Sequence, residues 1–98
     1  MADEHLYIVT YDIADDRRWR RVFKLMHGYG EWLQLSVFQC RLTRSRHLEL
    51  TQRLQDSLDA NEDHAMIIDV GPAEGVQLRV LSIGKRGFDP IERVPVVV

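Results

Sequence analysis

The run Leu6-Tyr7-Ile8-Val9-Thr10-Tyr11-Asp12-Ile13 constrains this chain more than any other stretch. It is apolar, β-branched and aromatic until Asp12, the composition of a buried central strand over about residues 6 to 13. A carboxylate near the end of such a strand must be hydrated, hydrogen-bonded or metal-bound. Asp12 therefore belongs at the rim of a sheet, within reach of a metal or a substrate. Two readings of it stand side by side: a structural Asp that caps the following turn, or a ligand.

A basic helix follows at once. Asp15 and Asp16 supply an N-cap and favourable charge at the positive end of a helix dipole. The spacing predicts a helix to about Gly28, with Gly28 and Gly30 ending it. Trp19, Val22, Phe23 and Met26 recur at i, i+3, i+4, i+7 and form an apolar face. Arg17, Arg20, Arg21, Lys24 and His27 form a stripe on another face, with Arg18 beside it. No acid compensates these bases until Glu31. Between Arg17 and Arg53 the charge is +7, while the whole chain carries −2, which leaves −9 elsewhere. A basic middle in an acidic chain points to a polyanion surface on one face. The alternative is a solvated face. Arginine, with its planar fork of donors, suits phosphate.

Further on, Leu33, Leu35 and Val37 share one parity, and Phe38, Cys40 and Leu42 the other. One regular strand cannot change parity, so a turn or bulge is expected near Ser36-Val37. A second helix is predicted over about Ser45 to Asp59, with Ser45 as N-cap and Leu50, Leu54 and Leu58 facing the core. Asn61-Glu62-Asp63 makes a polar turn. Ala65 to Val70 is the next strand, broken by Gly71-Pro72. The order β-α-β-β-α-β predicts an α+β, ferredoxin-like sandwich with helices on one face of the sheet. Val76 to Ile83 reads as a surplus strand that needs a sheet edge, and in so small a chain that edge can belong to a second copy. The expected organisation is one domain over 1–98. Its core covers about 6–70, and a dimer-completing strand and tail cover about 76–98.

Several functions are excluded or disfavoured. No stretch approaches the roughly 20 apolar residues of a membrane helix, and the acidic start Met1-Ala2-Asp3-Glu4-His5 is unlike a signal peptide, so no membrane partner is expected. The single Cys40 cannot form an intrachain disulfide and suits the cytoplasm; among apolar strand residues it reads as inert core. Trp19 belongs to the apolar helix face, although it and Trp32 could stack on bases. His5, His27, His47 and His64 show no metal-ligand spacing, and no Gly-rich phosphate loop or Ser-His-Asp arrangement is visible. Magnesium takes only one or two carboxylates and keeps its waters, and a symmetric dimer could bring a second Asp12 to the first.

Taken together, Tyr11-Asp12-Ile13, Asp15-Asp16-Arg17-Arg18, Arg21-Val22, Gly28-Tyr29-Gly30-Glu31 and Gln34-Leu35-Ser36-Val37-Phe38-Gln39-Cys40-Arg41-Leu42 strongly resemble the CRISPR-associated protein 2 family. The resemblance covers residues 6 to 70 closely. It implies a ferredoxin-like homodimer whose C-terminal strand adds to the partner's sheet, with paired Asp12 residues that hold Mg2+ at the interface. Asp12 matches the family's metal-binding, catalytic Asp; Tyr11, Arg17, Arg18, Arg21, Ser36 and Phe38 match other motif positions. Gln39 stands where many members have Glu. The implied activity is metal-dependent endonucleolytic cleavage of single-stranded RNA or double-stranded DNA. The implied role is in spacer acquisition, bridging integrase dimers and holding duplex DNA. The nucleic-acid contacts expected from charge are Arg17, Arg18, Arg20, Arg21 and Lys24. A non-catalytic DNA-binding scaffold and a stand-alone toxin-like ribonuclease are the competing expectations.

Overall fold

A computed structural model describes residues 3–84. Six elements follow one another: β1 (Glu4–Asp12), α1 (Asp16–Met26), β2 (Glu31–Gln34), β3 (Val37–Thr43), α2 (Arg44–Ser57) and β4 (His64–Pro72). The strands form one antiparallel sheet in the order β2-β3-β1-β4, so the apolar N-terminal run is indeed central. This is the ferredoxin-like order expected from the alternation of patterns.

Side chains of alternate parity separate cleanly. Tyr7, Val9 and Tyr11 from β1 meet Phe38, Cys40 and Leu42 from β3 and Trp32 from β2 on the face that carries both helices. Val22, Phe23 and Met26 from α1 and Leu50 and Leu54 from α2 close over them. The aromatic rings interlock: Trp19 stacks on Phe23 at 4.9 Å, and Phe23 meets Trp32 and Phe38 edge-on, each at 5.7 Å. On the other face Ile8, Thr10 and Asp12 lie in register with Ile68, Met66 and His64.

Four boundaries differ from expectation. The parity switch is a tight turn at Leu35-Ser36, one residue early, with Leu35 at φ 39. α1 ends at Met26, with His27 as its C-cap. Gly30 serves close packing: a Cβ there would run into the Gln39 carbonyl oxygen and the Cys40 sulfur. The N-cap of α2 is Thr43 rather than Ser45; its hydroxyl accepts from the Arg46 N–H at 3.2 Å, because β3 turns into the helix without a loop. β4 continues through Gly71 and Pro72. It shifts register opposite Leu6/Tyr7 with Gly71 at φ 120, and an edge strand tolerates a proline that cannot donate.

The chain then crosses to the uncovered face. The Ala73 N–H donates to the Glu4 carbonyl at 2.7 Å, and the Arg41 guanidinium holds the Ala73 and Val76 carbonyls at 2.9 and 2.8 Å. Val80 to Ile83 then approach Leu33, Gln34 and Val37. Among the described residues no strand follows Pro72, and Val76 to Ile83 finds no ladder partner among them. The expected apolar tail from Ile91 to Val98 lies outside the described residues.

Candidate functional site

β1 delivers Asp12 to the sheet rim as its sequence requires. Tyr11 points into the core, so Asp12, one residue on, points to the opposite face and is exposed. Among the described residues its carboxylate makes no hydrogen bond or ion pair to the protein. Its cross-strand neighbour is His64, the first residue of β4, also exposed and without a side-chain hydrogen bond among the described residues.

The segment just after Asp12 is fixed by a different carboxylate. Asp63 has a fully covered side chain. It accepts from the Ala14 N–H at 2.9 Å, the Asp59 N–H at 2.9 Å, and Arg18 Nε at 2.7 Å. Arg18 also reaches Glu62 at 3.0 Å. The Arg18 guanidinium and the backbone donors hold the Asp63 carboxyl well below the usual carboxylate range, and the carboxylates in turn raise Arg18. Asp63 thus ties together the β1–α1 connection, the end of α2 and the start of β4. Its sequence context, a run of polar turn residues, carried no sign of this. The signal is a tertiary contact spanning 45 residues.

This pairing divides the basic helix. Arg17, Arg20, Arg21 and Lys24 are exposed and in no ion pair among the described residues, at the helical spacing that puts them on one side. Arg18 is partly buried and committed to Asp63 and Glu62, which turns it from phosphate contact to structural clamp. Asp15 caps α1 as expected, accepting from the Arg18 N–H at 2.9 Å.

The motif positions around Asp12 form its support. Trp19 Nε1 donates to the Ser36 hydroxyl at 2.7 Å, and the Tyr11 N–H donates to the Ser36 carbonyl at 3.2 Å. Ser36 therefore joins α1, the β2–β3 turn and the end of β1. Phe38 is wholly buried. The Tyr11 hydroxyl is buried without a hydrogen-bond partner among the described residues; burial raises its pKa, and the nearby Ser36 side chain opposes this. Cys40, equally buried, is pushed up to about 12 and is chemically quiet. Gln39 donates to Glu31 at 3.1 Å on the β2–β3 ladder.

Asp12 offers a metal one hard oxygen donor group with no competing partner among the described residues. That suits Mg2+, which needs few protein ligands. Among the described residues no cluster of three or more His, Cys, Asp or Glu could cage an ion. One chain thus supplies an open, partial site.

These features define a class: small ferredoxin-like proteins with a rim carboxylate on the central strand and an arginine-rich first helix. The chain belongs to the family described as CRISPR associated protein Cas2, which matches residues 5–84. That family is a component of the CRISPR adaptation machinery. The chain is 58% identical over 95 residues to the "CRISPR-associated endoribonuclease Cas2" of Geobacter sulfurreducens, covering 97% of this chain and 99% of that one. It is 50% identical over 95 residues to "CRISPR-associated endoribonuclease Cas2 1" of Rhodospirillum rubrum, covering 97% and 92%. Among solved structures it resembles Streptococcus pyogenes Cas2 at pH 6.5, with TM-score 0.70, 31% identity, and coverage of 81% of this chain and 99% of that one. A Thermus thermophilus protein solved as hypothetical gives TM-score 0.71 at 38% identity, covering 84% and 95%. No described helix is long and apolar enough to cross a membrane.

Proposed function

We propose that this protein is a metal-dependent endonuclease of the CRISPR adaptation machinery, acting as a homodimer on RNA or duplex DNA. The observation that carries this reading is Asp12, exposed and without a partner among the described residues at the end of the central strand, followed directly by a helix that exposes Arg17, Arg20, Arg21 and Lys24. Relatives at 58% and 50% identity are named endoribonucleases, and one from Thermus thermophilus, 40% identical over 81 residues, is named an endonuclease. The basic stripe holds the phosphate backbone. Asp12 of the two protomers would hold Mg2+, which would supply water activation and charge neutralisation at the scissile phosphate. Ser36 and Trp19 hold the strand end that presents Asp12, and the Arg18–Asp63 clamp fixes the turn behind it. In the cell the dimer bridges integrase subunits and helps hold spacer DNA.

A scaffold without catalysis is the second reading. It is favoured by Asp12 being the one exposed carboxylate among the described residues at the end of the central strand, and by Gln39, which is neutral and engaged with Glu31. Asp12→Asn separates the two. Magnesium-dependent cleavage should fall to background while binding to duplex through the helices persists, since the variant leaves the helix intact. Spacer acquisition in cells that survives Asp12→Asn supports the scaffold role. Cleavage that survives in rigorously purified variant protein would remove Asp12 from catalysis.

A further inference from the structure

The β1–β4 register places a second donor beside Asp12 that sequence spacing does not reveal. Asp12 and His64 are 52 positions apart in sequence yet directly opposite one another in the antiparallel ladder. Directly opposed residues project from the same face with Cβ atoms about 4.5–5.5 Å apart. Both are exposed, and among the described residues neither side chain is spent on a hydrogen bond or an ion pair. The ends of both strands are held: Asp63, immediately before His64, is fastened to Arg18 and to the Ala14 N–H just beyond Asp12. The clamp therefore fixes the two donors relative to each other while using neither.

We propose that His64 is a second ligand, beside Asp12, for a later first-row divalent ion such as Co2+ or Ni2+, so that each chain offers such an ion one carboxylate and one imidazole. This rests on the reading that Asp12 binds a metal. Its consequence is a choice of ion. Carboxylate and water suit Mg2+ and Mn2+, whereas an imidazole raises affinity for later first-row divalent ions, in the order Mn2+, Co2+, Ni2+. The site accepts Mg2+ through Asp12 alone and takes Co2+ or Ni2+ more tightly through both groups. A metal-binding site of two donors, completed by water or by phosphate oxygens of a substrate, stays open to that substrate.

The test is direct binding to the full-length protein, with Co2+ and Mg2+ as probes and NMR of the histidine ring protons. Co2+ should shift and broaden the His64 ring signals at lower concentration than those of His5, His27 or His47. His64→Gln should weaken Co2+ binding at least about tenfold, the low end of what loss of even an outer-shell partner costs a metal site. It should leave Mg2+ affinity unchanged. Asp12→Asn should weaken both ions. His47→Gln is the control; its ring stacks on Tyr7 at 4.5 Å, toward the far end of β1, and Co2+ affinity should not change. Unchanged Co2+ affinity in His64→Gln, with unperturbed His64 signals in the wild type, overturns the proposal. If Asp12→Asn still abolishes Mg2+ binding and cleavage in that case, the nuclease reading survives. Conversely, Co2+ binding that needs both residues in a protein that cleaves nothing upholds the two-donor site and sinks the nuclease.

Discussion

Two aspartates near the same rim have opposite environments. Asp12 is exposed and unengaged among the described residues; Asp63 is covered and accepts from two backbone N–H groups and Arg18. The second has a consequence for pH. An unfolded Asp titrates near pH 3.9, and Asp63 in the fold titrates lower. Its contribution to stability is therefore fully present above about pH 5 and lost as pH falls through 3.9 toward the folded value. Urea unfolding of wild type and Asp63→Asn across pH 2 to 6 should show a lower plateau and a shallower acid limb for the variant. Parallel acid limbs would show that Asp63 is not depressed. Gly30 makes a second residue-scale case. A methyl group there has nowhere to go between the Gln39 carbonyl and Cys40, so Gly30→Ala should destabilise by about 1–3 kcal/mol through overpacking. Gly28→Ala, whose Cβ would only touch the Leu25 carbonyl at 3.3 Å, should cost less. Equal urea midpoints for the two variants would contradict the close approach.

At the level of elements, α1 divides its residues between an apolar and a basic face, and the sequence separates them well. Its apolar residues lie at core spacing because that face is buried by the sheet, and its bases lie at the complementary spacing. If Arg17 and Arg21 contact phosphates, replacing both by Ala should weaken binding to unrelated duplexes alike and flatten the salt dependence by about one unit per lost contact. Replacing Arg18 should instead lower stability, because it leaves the covered Asp63 carboxylate without its cation. A salt slope that ignores Arg17 and Arg21 would reduce the stripe to a solvated face. The order of elements, the central strand, the existence of the parity switch and the N-cap of α1 were legible because each rests on local pattern, whereas α1 stops at Met26 with His27 as its C-cap, short of the glycines. What escaped depends on distance along the chain. Thr43 caps α2 because β3 ends there, Arg18 leaves the stripe for Asp63, and His64 meets Asp12 only through ladder register. Leu35 in a positive-φ turn had no local signal, since leucine is not a turn former. The open rim position of Asp12 followed from the strand pattern; its cross-strand neighbour His64 did not.

The whole molecule is a sheet with helices on one face and an incomplete cover on the other. Met66, Ile68 and Val70 on β4 are close to half exposed, and Leu81 and Ile83 are 82% exposed. Arg41 leads the chain after β4 onto this face through the Ala73 and Val76 carbonyls, yet the following residues, up to Gly84, pair with no strand among the described residues. Backbone beside a sheet without a ladder, and apolar side chains left in water, are both satisfied by a second copy that offers its edge. A two-fold axis passing beside the end of β1 would also bring the two Asp12 carboxylates to one ion. The expected outcome is a dimer at micromolar concentration by size-exclusion chromatography with light scattering. Truncation after Gly75 removes the Val76 carbonyl that Arg41 holds and the residues facing Leu33 and Val37. It should yield monomer or aggregate. Added Mg2+ should tighten the wild-type dimer, because like charges at the axis repel until a cation lies between them, and Asp12→Asn should make dimerisation independent of Mg2+. A full-length chain that stays monomeric at micromolar concentration, with or without Mg2+, would leave Asp12 alone on its rim and remove the basis for a shared metal.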